Sequence, residues 1–268
     1  MGVLQLVLIC LLQLVLICLV ACCLIMAGVW IWAKQIKNAG VVDIFWSYNF
    51  PIMAIILFFL GNGLNERRLL GCAMIAIAGF RLGTHLMTRV VSHLGEEEGR
   101  YKQLRKEWAP NPDRKFFWFF QMQAVSNVFL SIPFFIVVVN ADPQLSVLEY
   151  VGLAIWIIGF AGEAIADWQL TQFKKDPANK NEVCDTGLWN YSRHPNYFFE
   201  WLMWLAYFVF ALASPYGYLA IISPLAILYL LLKVTGIPAT EEQSLRSKGD
   251  KFRAYQKTTS VFVPWFKK

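Results

Sequence analysis

Residues 3–33 read VLQLVLICLLQLVLICLVACCLIMAGVWIWA, an unbroken apolar run that carries no charge. About 20 apolar residues suffice for a helix to cross a bilayer, so the run reads as a membrane span and not as the core helix of a soluble domain. It contains a verbatim repeat, since residues 4–11 and 12–19 are both LQLVLICL. Eight residues are close to two helical turns, which sets Gln5 and Gln13 on nearly the same face. The repeat is either an interhelical hydrogen-bonding stripe or a local duplication that lengthens a tolerant apolar helix. A secretory signal is disfavoured: the run outlasts a signal h-region, no basic n-region precedes it and no small-x-small site follows.

The same pattern recurs along the chain, at about 41–60, 69–91, 116–140, 147–171, 197–213 and 215–234, so the expected fold is an all-α polytopic membrane helix bundle with about seven transmembrane helices. Short polar stretches such as Gly61-Asn62-Gly63 and Ser214-Pro215 separate the segments. Pro51, Pro133 and Pro224 fall inside apolar runs, which bundled membrane helices tolerate better than soluble ones. The whole chain, 1–268, reads as a single membrane domain. Apolar residues make up 57% of it, above the 45–50% usual for soluble domains, and its mean hydropathy is +0.48. The net charge of +6 does not imply nucleic acid, because the basic residues form no single face and the aromatics lie in apolar runs. Five of the six cysteines also lie in apolar runs; no CxxC pair or Cys/His spacing suggests zinc, and with three histidines no metal is expected.

Lysine and arginine set the orientation. The linker 34–40 has two, loop 92–115 six, loop 172–198 four and the tail 235–268 seven, whereas loops 61–68, 141–146 and 214–216 have two, none and none. Seven spans put all four basic regions on one side, the cytosolic one, with the N-terminus opposite and the C-terminus in the cytosol. Arg67-Arg68 is the discordant pair. The membrane is the endoplasmic reticulum if the chain is eukaryotic and the inner membrane if it is bacterial. No obligate protein partner is evident.

Charged or strongly polar residues within the spans are few: Asp43, Arg81, His85, Arg89, Glu163, Asp167, Glu200 and Lys233. Such residues are costly in lipid and mark functional sites by default, the alternative being interhelical ion pairs. Glu163 and Asp167 are i,i+4, and Lys174 follows Asp167 by seven residues on about the same face. Asn196 and Glu200 are again i,i+4, at a helix start that Pro195 favours. Arg193 and His194 precede that start, where free N–H groups attract a phosphate and the neighbouring carboxylates and amide suit ribose hydroxyls or an amide headgroup. Glu241 and Glu242 open a later helix, as ligand contacts or as a match to its dipole. The charged loop 95–105 reads as solvated by default.

Several elements resemble the steroid 5α-reductase C-terminal-like membrane family, within the group of steroid 5α-reductases, sterol reductases and isoprenylcysteine carboxyl methyltransferases. They are Asp43-Ile44-Phe45-Trp46, Arg81-Leu82-Gly83, Glu98-Gly99-Arg100-Tyr101, Gly187-Leu188-Trp189 through Glu200, and Thr235-Gly236-Ile237-Pro238 with Glu241-Glu242 through Pro264-Trp265-Phe266. The resemblance covers about residues 40–268. It implies a first span and linker to residue 40 and a reductase-like core over 41–268 whose C-terminal half binds the cofactor. It also implies a lipid-accessible cavity for an apolar substrate, with membrane lipids as surroundings. In the reductases an acidic residue and a cation seven residues on bind NADPH; Asp167 and Lys174 match, with Lys in place of Arg. Trp189, Arg193, His194, Asn196, Tyr197, Glu200, Glu163, Glu241, Glu242 and Tyr255 complete the expected cofactor set. Asp43 is the counterpart of the acidic residue near the substrate carbonyl, with Tyr48 beside it; its alternative is to cap the second helix.

The resemblance thus implies a membrane oxidoreductase that uses NADPH to reduce a polarised C=C bond in a steroid- or enone-like lipid. The methyltransferases share Arg-His-Pro with a following Tyr and the paired glutamates, which there hold S-adenosylmethionine, so methyl transfer is the second expectation. A non-enzymatic lipid-binding membrane protein is the third.

Overall fold

The computed structural model describes residues 3–92, 94–97 and 99–267. Among them no strand forms, and eleven α-helices follow one another: α1 Val3–Ile36, α2 Val41–Leu60, α3 Asn65–Val91, α4 Gly99–Glu107, α5 Pro112–Leu130, α6 Ile132–Val137, α7 Val147–Lys175, α8 Pro195–Ala211, α9 Ile222–Tyr229, α10 Ile237–Lys248 and α11 Asp250–Thr258. Among the described residues, five helical stretches are long and apolar enough to cross a membrane: Leu8–Ile36, Val41–Leu60, Asn65–Val91, Val147–Lys175 and Gly217–Lys248. The protein is a multi-pass membrane protein. Large apolar side chains stand exposed along these helices, among them Leu24, Phe59, Phe80 and Ile158, a surface suited to lipid and not to water.

Two of the seven apolar segments differ from their reading. The segment at 116–140 is not continuous: α5 ends at Leu130, and α6 begins after Ser131. Pro133 supplies the reason, since it has no N–H to give to the carbonyl four residues back. The segment at 197–213 becomes α8, which Pro195 starts and which has 17 residues. The last segment ends at Val234 as read, in a π-helical turn over Leu230–Val234, and the non-helical Gly236 separates it from α10.

The chain divides into two compact units, Met1–Leu145 with Ser214–Leu219, and Ser146–Ala213 with Ala220–Lys268. In the first, α1 buries Leu14, Cys18, Cys22, Met26, Val29 and Ala33, one face at intervals of three and four, and packs on α2 and α5. The repeated glutamines Gln5 and Gln13 are exposed. Small residues bring α3 close to α2: a Cβ on Gly79 would stand 2.7 Å from Pro51 Cδ, and one on Gly83 2.6 Å from the Tyr48 ring. Polar side chains join α2 to α5, with Asn49 donating to Asn127 Oδ1 (2.9 Å) and Trp46 to Ser126 Oγ (2.9 Å).

The discordant arginines are accounted for in the same unit. Arg67 is only 1% exposed, and its guanidinium donates to the carbonyls of Asn140, Asp142 and Gln144 at 3.0, 2.8 and 2.6 Å. Arg68 donates to the carbonyls of Phe58 and Gly61. Both are loop staples, so they carry little weight in an orientation count.

In the second unit α7 and α8 form an antiparallel pair. Gly152, Gly159 and Gly162 line the α7 face of the seam; their absent side chains admit Phe210, Met203 and Phe199 of α8, each within 2.9 Å of where a Cβ would sit. This close approach sets the carboxylates near the end of α7 beside the start of α8.

Candidate functional site

The site in the second unit begins with the chain reversal between α7 and α8. Gly187 takes φ +58°, a conformation in which a side chain is strained, and the Gln169 amide occupies the space a Cβ would need. Gln169 also accepts from the Leu188 N–H (2.9 Å). Trp189, 8% exposed, donates its indole N–H to the Ala166 carbonyl (2.9 Å) and so ties the loop back onto α7. Trp189 acts here through the backbone of α7.

Pro195 then starts α8, and its second residue meets α7: Asn196 Nδ2 donates to Asp167 Oδ1 at 3.2 Å. The contact fixes which end of the carboxamide faces the carboxylate. Its other end, Asn196 Oδ1, is buried and has no hydrogen-bond partner among the described residues. An unsatisfied buried acceptor costs about 1–3 kcal/mol, so it calls for a donor from elsewhere. Glu163, one turn before Asp167, is 5% exposed, and Glu200, one turn after Asn196, is half-buried. α7 continues unbroken to Lys175, so Lys174 lies two turns beyond Asp167 on that side, exposed and without an ion pair among the described residues.

A second cluster surrounds Arg193. Its Nε donates to Glu241 Oε1 at 2.7 Å, and its Nη1 to the carbonyls of Gln256 (3.1 Å) and Thr259 (2.6 Å). His194 Nε2 lies 3.2 Å from the same Glu241 oxygen, and Gln256 Nε2 donates to the other at 2.7 Å. The backbone takes part as well: Arg193 N donates to the Ser260 carbonyl (2.8 Å), Ser192 Oγ to the Phe262 carbonyl (2.8 Å), and Trp265 N to the Tyr191 carbonyl (2.9 Å). Tyr255, from α11, donates to the Trp189 carbonyl with the Ser192 carbonyl 3.2 Å away, and burial pushes its phenol well above the ordinary value. Arg193, Glu241 and Tyr255 therefore fasten the C-terminal segment against the loop that opens α8.

Glu241 is the fifth residue of α10, whose first turn has no acid, so it is not a helix cap. Glu242 is exposed and pairs with Arg246 on its own helix. The His194 ring stacks on Tyr197 (centroids 5.4 Å apart, planes 5° apart), and the Tyr197 hydroxyl lies 3.1 Å from Thr240 Oγ1. Tyr197 and His194 thus join the two clusters.

The two residues expected to act on substrate lie in the first unit. Asp43 sits in the first turn of α2, and its Oδ1 accepts from the Tyr101 hydroxyl at 2.7 Å. Tyr101 is fully buried and lies under Gly40. Tyr48 packs over Gly83, with its hydroxyl 3.2 Å from Thr84 Oγ1. The charged loop before α4 is not simply solvated. Glu97 is 9% exposed, accepts from the Ala39 N–H (2.9 Å), and takes two hydrogen bonds from Arg105 (2.9 and 2.8 Å). Burial alone would raise its pKa; Arg105 and the Ala39 amide outweigh that and hold it below the ordinary value. Glu98 lies outside the described residues. Tyr101 and Glu97 had no role in the sequence reading, although Tyr101 closes one of the quoted motifs.

The family described as "Protein of unknown function (DUF1295)" matches residues 29–259, and the chain belongs to it; this family is in the steroid 5α-reductase-like group. A curated relative, "Uncharacterized protein C594.04c" of Schizosaccharomyces pombe, is 24% identical over 216 residues, which cover 71% of this chain and 62% of the relative. The chain thus spans about three fifths of the length of that relative. No solved structure matches it.

Proposed function

We propose that this DUF1295 protein is a seven-span membrane oxidoreductase, its C-terminus in the cytosol, that uses NADPH to reduce a polarised C=C bond of an apolar, steroid- or enone-like lipid. The observation that carries the reading is the Asn196 carboxamide, anchored at one end by Asp167 and left with a buried acceptor at the other. A nicotinamide carboxamide or a ribose hydroxyl offers the donor that this oxygen lacks. Glu163, Asp167 and Glu200 are further acceptors for sugar hydroxyls. Lys174, exposed and free of ion pairs among the described residues, is the cation proposed for a phosphate. When bound, NADPH supplies hydride.

The chain's own share of the chemistry is a proton held at the substrate carbonyl, where negative charge builds during reduction. Asp43 with the Tyr101 hydroxyl on its Oδ1 is a carboxyl–phenol pair suited to that task. Tyr48, on α2, offers a further hydroxyl. The seven-span topology rests on the alternation of basic loops, with α5 and α8 added to the five long apolar stretches.

Methyl transfer from S-adenosylmethionine is the second reading. It asks Arg193 and Glu241 to hold the ligand, and these two are committed to each other and to the carbonyls of Gln256 and Thr259. Calorimetry on the detergent-purified protein with NADPH, NADH and S-adenosylmethionine tests both. NADPH should bind, and Asn196→Leu should weaken it by roughly ten- to a hundredfold, the loss of one polar contact to a buried group. Binding of S-adenosylmethionine alone would establish the second reading. Binding of no nucleotide would leave a lipid-binding protein.

A further inference from the structure

The first unit holds a cleft of about 620 Å³ where the end of α1 meets the start of α5, lined by Trp30, Lys34, Asp113, Arg114, Phe117 and Trp118 among others. Trp30 donates its indole N–H to the Asp113 carbonyl (2.9 Å) and packs edge-on against Phe117, their centroids 5.2 Å apart. Lys34 Nζ stands 5.8 Å from the Trp30 ring centre and 3.5 Å from Asp113 Oδ2. Asp113 is also 3.6 Å from Arg105, so the one carboxylate of the cleft serves two cations. Arg114 is exposed and makes no ion pair among the described residues. The cleft therefore has an excess of positive charge between aromatic walls. From its rim runs an apolar stripe on α5, Trp118, Met122, Val125 and Phe129, spaced at four, three and four residues and 60, 64, 45 and 40% exposed.

We infer that this cleft binds an anionic glycerophospholipid, its phosphate against Arg114 and Lys34 and an acyl chain along the α5 stripe. Tryptophan and basic side chains at the end of a span stand at headgroup level, where their apolar bodies and polar tips are both satisfied. An aromatic belt alone explains the rings but neither the open cleft between them nor the Arg114 cation without an ion pair among the described residues. Basic pockets between membrane helices take acidic headgroups. A free phosphate would use the two cations and leave the stripe uncovered, whereas a lipid uses both. The inference does not depend on the oxidoreductase reading, because it involves none of the residues proposed for the nucleotide.

Native mass spectrometry of the full-length protein in detergent tests it, by titration with phosphatidylglycerol, phosphatidylcholine and inorganic phosphate. The variants are Lys34→Gln with Arg114→Gln, and, as a control of equal charge change, Lys180→Gln with Lys257→Gln. Phosphatidylglycerol affinity should fall roughly thirtyfold in the first variant, the increment that two basic residues give at an anionic surface, and stay unchanged in the control. Phosphatidylcholine should bind weakly and equally to all three. Trp118→Ala, which keeps both charges, should also weaken phosphatidylglycerol. Both cations are exposed, so folding should survive their loss, with an unchanged melting temperature as the check. Equal phosphatidylglycerol affinity in wild type and cleft variant, or an equal loss in the control, overturns the inference. Displacement of the lipid by inorganic phosphate overturns it in favour of a free-anion site.

Discussion

Replacing Glu241 by alanine should release the C-terminal segment without disturbing the α7–α8 pair. The substitution removes the acceptor for Arg193 Nε (2.7 Å), for Gln256 Nε2 (2.7 Å) and for the His194 ring (3.2 Å). The Arg193 and Glu241 side chains are 10 and 15% exposed, so this is close to a buried pair. Breaking such a pair from one side costs about 3–5 kcal/mol, because the remaining charge stays desolvated. Arg193 keeps the carbonyls of Gln256 and Thr259, which favours the lower end, about 3 kcal/mol, or an opening equilibrium raised roughly 150-fold. The bonds that report the opening are the Arg193 amide to the Ser260 carbonyl and the Trp265 amide to the Tyr191 carbonyl. In hydrogen exchange followed by mass spectrometry, peptides holding these amides should exchange faster by about that factor, while peptides from residues 150–162 of α7 keep their protection. Arg193→Ala should act on the same amides. The double variant should be less destabilised than the sum of the singles, with a coupling of about 0.5–3 kcal/mol. The reasoning fails if Glu241→Ala leaves tail protection intact and lowers only nucleotide binding, since Arg193 and Glu241 would then be ligand contacts and not a clamp.

Two further outcomes are expected. Asp43→Asn keeps an acceptor for Tyr101 but removes the proton source, so NADPH affinity should hold while NADPH oxidation with an enone substrate falls by about 10²–10⁴; a lowered melting temperature with full turnover would leave Asp43 a helix-end residue only. Glu97 has its pKa depressed on folding, so its contribution to stability is complete above the ordinary glutamate value of 4.5 and is lost as pH falls from there through the folded value. The melting temperature should therefore drop as pH falls below about 4.5 in wild type, and Glu97→Gln should be less stable at neutral pH with a shallower dependence in that acid range; parallel curves for the two proteins would contradict the burial argument.

The helices were legible because their signal is local. Each apolar run is its own statement about lipid, α2 spans 41–60 as read, and Pro195 marks the start of α8 as its fixed φ leads one to expect. Where the reading went astray, two local rules competed. Pro133 was admissible inside a membrane helix, and it also ends the hydrogen-bond ladder; the structure takes the second option at Ser131. Past residue 234, by contrast, the composition turns polar, which reads as the end of a span, and the π-helical turn does end at Val234, with α10 starting anew at Ile237 behind the non-helical Gly236.

The candidate site was legible only where both partners are side chains on faces set by helical spacing. Glu163 with Asp167 and Asn196 with Glu200 are of this kind, and the glycines of α7 bring Asp167 to Asn196. The polar contacts that were missed end mostly on backbone carbonyls. Arg67 is satisfied by a loop more than seventy residues away, and Arg193 by two carbonyls of the tail. A carbonyl is present at every position, so it leaves no mark in the residue pattern, and an arginine bound by carbonyls looks in sequence like an arginine awaiting a ligand. The distinction matters for Arg193, whose position before a helix start suggested a phosphate. With its donors directed at Glu241, Gln256 and Thr259, it shapes the nucleotide reading indirectly, by holding the loop from which Asn196 enters α8. In the proposed reading the nucleotide contacts fall instead on the Asn196 carbonyl oxygen, which has no hydrogen-bond partner among the described residues, and on the exposed Lys174 ammonium.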